Sequence, residues 1–359
     1  MFGDEALTEK FLDEFLKRSR KMKRLFVCLS VLVVLLLIIG GAISCEEEEV
    51  KPVTLRFAMS LPPDIPQVQL VQEMVNRFNE RTNGEYLIEI YAGESLIPFM
   101  EMFDATRTGA VEIGDIPIEY AAAQDPVFAA IGLPFLLDDT EAATKFLNLA
   151  GEEIFDKKLE QDFNLKPICT FSMGMHTWCG TKPIHTMEDW EGLLVWVANP
   201  VQAATVGEMG ASAVSLPFFE GYPGIQKGVV DGGVALLPHA PWEFHWYDAI
   251  RHITIARMFG TAAYYMINYD VFKELPKDVQ EILLEEGKRL SDESFELNLQ
   301  LTTDYLANLE EVGVEVYYLP EAERERWKAA SSSVIDDFFA QIGEADTQKI
   351  RDAAEAANQ

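Results

Sequence analysis

Apolar and polar positions along the chain fall into two alternating rhythms. Leu55-Arg56-Phe57-Ala58-Met59 alternates with the period of a strand. Pro62-Pro63 ends it, Asp64 is placed to cap a helix, and Val68, Val71, Val75 and Phe78 then recur on one helical face as far as the stop at Asn83-Gly84. The same logic predicts strands over 86–91, 111–116 and 166–171, with helices over 99–108 and 140–159 between them. Residues 172–186, with Gly174, His176, Trp178, Gly180 and Pro183, read as irregular. Residues 193–197 are five consecutive apolar positions between Gly192 and Pro200, which reads as a fully buried strand. Helices over 201–209 and 222–227 follow, then strands over 229–234 and 263–267. Pro276 opens a helical pattern that continues to about Val312, with Gly287 as its one weak point, and a last helix covers 327–342. Strands alternating with helices imply an α/β fold with a parallel sheet. A helix of that length, on the order of 55 Å, exceeds what one lobe needs and is expected to span two.

The strand over 193–197 carries Trp196 and ends near the Asn199-Pro200 turn signal. Ligands of α/β proteins collect at the carboxyl ends of such strands, so Trp196 and Asn199 are expected at the centre of a cleft.

Charge narrows the partners. The 359 residues carry 29 Lys and Arg against 59 Asp and Glu, a formal charge of −30. Such a surface repels nucleic acid and anionic lipid. The start of the chain is different: Lys21, Lys23 and Arg24 precede an uncharged run over 25–43 and then Ser44-Cys45. This reads as a secretory signal, and the cysteine after small residues resembles the lipobox of bacterial lipoproteins, with Cys45 as the lipidated residue and Ala42 where leucine is usual. An uncleaved anchor is the other reading, since ~20 apolar residues can span a bilayer. Met1 and Met22 are both possible starts. Residues 1–44 are thus expected to be a lipoprotein-type signal and 45–52, with its Glu46–Glu49 run, a solvated tether. Cys169 and Cys179 stand either as two separate buried thiols or, if a hairpin turned at Gly174, as a disulfide.

Catalytic and metal motifs are sparse. No G-x-S-x-G elbow, H-E-x-x-H or P-loop occurs, and no G-x-G-x-x-G follows a strand. The five histidines, His176, His185, His239, His245 and His252, cluster in sequence, but no two are four residues apart and no CxxC joins them, so neither a metal nor a cofactor is expected.

Several motifs in order resemble the solute-binding proteins of tripartite ATP-independent periplasmic (TRAP) transporters, over about residues 53–342. They are Gly109-Ala110-Val111-Glu112-Ile113, Leu133-Pro134-Phe135, Lys182-Pro183-Ile184 with Asp189-Trp190-Glu191-Gly192-Leu193, Gly210-Ala211 with Pro217-Phe218-Phe219-Glu220-Gly221-Tyr222, Ile225-Gln226-Lys227-Gly228-Val229-Val230-Asp231-Gly232, and Leu275-Pro276-Lys277-Asp278-Val279-Gln280. The resemblance implies a two-lobed periplasmic-binding-protein-like fold with a cleft and a long helix spanning both lobes. Lobe I would comprise 53–173 and 261–300, and lobe II 174–260 and 301–359. It further implies capture of a small molecule by hinge closure and delivery to small and large membrane subunits for ion-coupled uptake.

Family members commonly hold a carboxylate with an arginine, whose planar fork donates two parallel hydrogen bonds. Here that position is Trp196, a second family arginine falls at His176, and a family asparagine falls at Ala235. Asn199 keeps a polar group at the strand's end, Phe218 falls where members place a ring against the ligand, and Ser60 and Tyr120 fall on the lobe I side. With Trp242 a further aromatic candidate, the expected ligand is less anionic than a dicarboxylate and more apolar, or cationic and stacked on rings. The other orientation of Trp196 is toward the core. Competing function classes are an exported ligand sensor feeding a receptor, and an exported hydrolase or lyase using His176 or His239 with a nearby carboxylate.

Overall fold

The computed structural model describes Phe15, residues 17–23, Leu25, Phe26 and residues 51–359, apart from the side chain of Tyr120. Cys45, most of the uncharged run over 25–43 and most of the tether lie outside the described residues. Among the described residues no helix is long and apolar enough to cross a membrane.

Residues 52–359 are built on one nine-stranded sheet. Its strands are β1 (Val53–Ala58), β2 (Tyr86–Tyr91), β3 (Ile113–Pro117), β4 (Leu165–Gly180), β5 (Leu194–Val197), β6 (Ser212–Ser215), β7 (Gly232–Leu236), β8 (His252–Asn268) and β9 (Glu315–Tyr318). The order is β2-β1-β3-β8-β4-β7-β5-β6, with β9 beside β8. The parallel arrangement expected from the sequence holds toward the two ends, β1 with β2 and β3, and β5 with β6 and β7, and where β9 joins β8. The centre is antiparallel, because β4 and β8 run against each other along nearly their whole lengths.

Those two strands hold the fold together. At one end β8 pairs with β3, from Ile113 opposite Ile267 to Pro117 opposite Ala263. At the other end β4 pairs with β7 and β8 with β9. Each strand thus serves both halves of the sheet. Residues 172–180, expected to be irregular, continue β4, and residues 252–262 belong to β8. The ladder absorbs the twist through register shifts between Pro167 and Cys169, Ser172 and Gly174, and His176 and Trp178. Cys169 and Cys179 lie on this one extended strand as separate buried thiols. Burial holds both thiols well above their ordinary range, which leaves them inert.

The helix Lys277–Glu311 is 35 residues, roughly 50 Å, and lies along β4. Polar side chains fasten the two together. Thr170 and Ser172 donate their backbone N–H to the Ser291 and Ser294 hydroxyls, and Asn298 donates to the Met173 carbonyl at 2.6 Å. Gly287 brings the helix backbone onto the strand: a methyl group there would overlap the Ile168 carbonyl. The helix Pro66–Arg81 buries Val68, Val71, Val75 and Phe78, as its spacing predicts, against a core that includes Phe57, Leu283 and Leu290. Its N-cap is Ile65, however, and no side chain caps it, so Asp64 does not play that part.

The C-terminal region holds more helix than its spacing predicts. Residues 321–357 form three helices, Glu321–Ala330, Ser332–Gln341 and Glu344–Ala357, where one was expected over 327–342. Phe338, Phe339, Ile350 and Ala354 are buried in the same core as Phe128, Phe146 and Phe155. Asn358 also donates to the Leu136 carbonyl. The chain therefore returns at its end to the half of the fold built by residues 53–173, rather than remaining with residues 174–260. The apolar stripe of the last helices matches that core, and apolar burial, not chain order, decides where they dock.

Candidate functional site

A cavity of about 570 Å³ lies where the two halves of the sheet meet. Ser60, Asp115 and Glu119 enter it from the β1–β3 side. Met173, His176, Thr261 and Ala262 come from β4 and β8. Asn199, Gln202, Phe218, Ala235 and Glu243 come from the β5–β7 side. Of the residues expected at the site, Ser60, His176, Asn199, Phe218 and Ala235 are brought together here. Tyr120's side chain lies outside the described residues.

Trp196 does not line the cavity. It is fully buried, and its indole N–H donates to the Leu216 carbonyl at 3.0 Å. The ring occupies a slot left open by two glycines. A methyl at Gly221 would overlap it, and one at Gly233 would come within 2.7 Å. Its other neighbours are Phe218, at 5.9 Å between ring centroids, and Trp246 at 6.4 Å. The position expected to hold the ligand is thus a backing layer that fixes Phe218, which does face the cavity. The strand around it is buried on Val195, Trp196 and Val197 but not at Leu194, which is 42% exposed. Trp242 is also outside the wall: it is half-buried and stacks on Tyr247 at 5.3 Å. Trp178 packs edge-on against Trp190 in a separate core.

The polar groups that remain form a defined set. Asn199 caps the helix Pro200–Glu208, its Oδ1 accepting from the Gln202 N–H at 2.9 Å. Gln202 Oε1 accepts from the Ala198 N–H at 2.8 Å, so its amide NH2 faces His176 Nδ1 at 3.3 Å. That arrangement makes Nδ1 an acceptor and leaves the ring proton on Nε2. Burial pushes the His176 imidazole down to about 4, so the ring is neutral at pH 7 and offers no charge to an acid.

Carboxylates are the groups the sequence reading missed. Asp115 is buried and accepts from the Ser60 hydroxyl at 2.8 Å. Burial pushes Glu119 up to about 7, and Glu119 Oε2 is buried without a hydrogen-bond partner. Burial likewise pushes Glu243 up to about 7, opposed by the Gln67 amide, and its Oε1 is buried without a partner. Glu243 Oε2 lies 4.0 Å from His239 Nε2, itself buried and pushed down to about 4. The signal was there in principle: Asp115 interrupts the apolar run of β3, and Glu243 sits among the aromatics of residues 238–247. Among the described residues, no Lys or Arg lines the cavity and no group of His, Cys, Asp and Glu is disposed to hold a metal ion.

A cleft between two halves of a sheet, joined by crossing strands and one long helix, defines a two-lobed receptor for a small solute. The chain belongs to bacterial extracellular solute-binding protein family 7, whose model matches residues 57–342. It is similar to the 2,3-diketo-L-gulonate-binding periplasmic protein of Escherichia coli K12, 21% identical, over 84% of this chain and 92% of that one. It is also similar to the C4-dicarboxylate-binding periplasmic protein of Rhodobacter capsulatus, 22% identical, over 82% and 88%. Among solved structures, a TRAP periplasmic solute-binding protein of Pseudomonas putida F1 with bound D-glucuronate superposes with a TM-score of 0.77, at 22% identity over 86% of this chain and 99% of that one. One from Desulfovibrio salexigens with bound orotic acid gives 0.77, at 23% identity over 85% and 98%.

Proposed function

We propose that this protein captures a small, predominantly apolar solute that is not a simple dicarboxylate, and delivers it to the small and large membrane subunits of a TRAP transporter. Family membership supports the capture role and the TRAP partners. In this reading Cys45 carries a lipid that tethers the receptor outside the cytoplasmic membrane. The lobes are residues 53–173 with 261–300, and 174–260 with the helix and strand following residue 300, the last two helices riding on the first lobe. They close on the solute by bending β4 and β8, which belong to both. The pattern of strand partners along β4 and β8 supports that division.

One observation carries the ligand class: among the described residues the cavity is lined by three carboxyl side chains and a neutral imidazole, and by no Lys or Arg. The relatives named for acids are similar in fold, but a ligand carboxylate placed here would be desolvated among buried carboxyl groups with no guanidinium to neutralise it. The test is thermal unfolding of the protein with a library of small solutes. A true ligand stabilises by about 2.7 kcal/mol when present at a hundred times its Kd. Phe218→Ala, which removes a cavity wall, is expected to abolish the shift. Equal shifts in the variant and the parent would place binding elsewhere.

A further inference from the structure

We infer that the solute carries a protonated amine on an apolar body, and that Glu119 and Glu243 are its counter-groups. The inference rests on the reading of the cavity as a solute site and names the chemistry it selects. Glu243 has a side chain only 5% exposed and lines the cavity, yet its Oε1 has no hydrogen-bond partner. Glu119, on the opposite side, likewise presents a buried Oε2 with no partner. A buried acceptor left unmatched is costly, and two such oxygens on residues that line one cavity favour a solute that brings its own donor, the Gln67 amide being the one protein group that opposes the Glu243 shift.

An ammonium group meets that demand. It donates up to three hydrogen bonds, accepts none, and brings the positive charge that lets a buried carboxyl ionise. A neutral alcohol brings one donor and no charge; a carboxylate brings acceptors and the wrong charge. The rest of the wall suits an apolar body. Phe218 and Phe244 lie 5.7 Å apart edge to face, and ring faces attract a cation. Asp115 adds further negative potential from the β3 side, although one of its oxygens already accepts from Ser60. The net charge of −30 favours the approach of cations over anions.

The experiment is calorimetry with three probes of one shape: 3-phenylpropylamine, 3-phenylpropan-1-ol and 3-phenylpropanoate. The amine is expected to bind at least about tenfold more tightly than the alcohol, the step associated with hydrogen bonds to charged groups. Glu119→Gln and Glu243→Gln should each weaken the amine by a similar factor and the alcohol much less, and circular dichroism like the parent's shows that the variants fold. Equal affinity for amine and alcohol overturns the amine assignment while leaving an apolar solute site standing. Tightest binding of the acid overturns both. Unchanged amine binding in both variants, or no binding of the amine at all, counts against the inference.

Discussion

Trp196→Ala is expected to destabilise the protein by about 3–5 kcal/mol, the range for deleting a fully buried large aromatic. The ring has no exposure, and its N–H is spent on the Leu216 carbonyl. Removing it leaves an indole-sized void between Gly221 and Gly233, neither of which has a side chain that could move in. The Leu216 carbonyl also loses its donor. Collapse around the void would withdraw support from Phe218, so weaker solute binding should accompany the loss of stability. Urea unfolding followed by circular dichroism measures the first effect. A loss below about 1 kcal/mol would mean that the slot closes without penalty, contrary to the packing described here.

Gly287→Ala is expected to destabilise as well, by about 3 kcal/mol, the top of the usual range for overpacking, because the site cannot relax. Helix propensity alone argues for the opposite sign, a gain of about 1 kcal/mol. The contact decides between them. The added methyl would overlap the Ile168 carbonyl, a backbone atom with no rotamer to change, so helix and strand must part. The bonds from Thr170 and Ser172 to the Ser291 and Ser294 hydroxyls, and from Asn298 to Met173, would stretch together. Thermal unfolding reads the outcome, and a raised melting temperature would show that propensity wins.

Gly287 also illustrates what could be read before the fold was known. Helical spacing located the long helix to within a residue or two at each end, and marked the glycine as an oddity within it. Only the sheet beneath explains why a glycine belongs there. The short strands β1, β2 and β5 were legible because alternating or continuous apolar runs define them locally, whereas β6, Ser212-Ala213-Val214-Ser215, and β9 carry no such run and were not expected. The far halves of β4 and β8 were not, because Gly174, His176, Trp178, Gly180 and the residues before Ala263 carry no simple alternation. Their extended form is imposed by pairing with each other. At the site, position in the chain indicated which residues approach the cleft but not which way each side chain turns. Trp196 turns inward because glycines on a helix and a neighbouring strand make room, and those contacts are remote in sequence. Glu119 and Glu243 were passed over since an acidic residue between apolar ones reads locally as a solvated position. Their burial is a property of the assembled cavity.

The selectivity of that cavity can be tested without knowing the natural solute. Isothermal titration of the protein with succinate at pH 7 places a flexible dicarboxylate against a wall that, among the described residues, holds Asp115, Glu119, Glu243 and a neutral His176, and no Lys or Arg. No saturable heat is expected up to millimolar succinate; saturable binding at micromolar concentration would contradict a site selective against dicarboxylates.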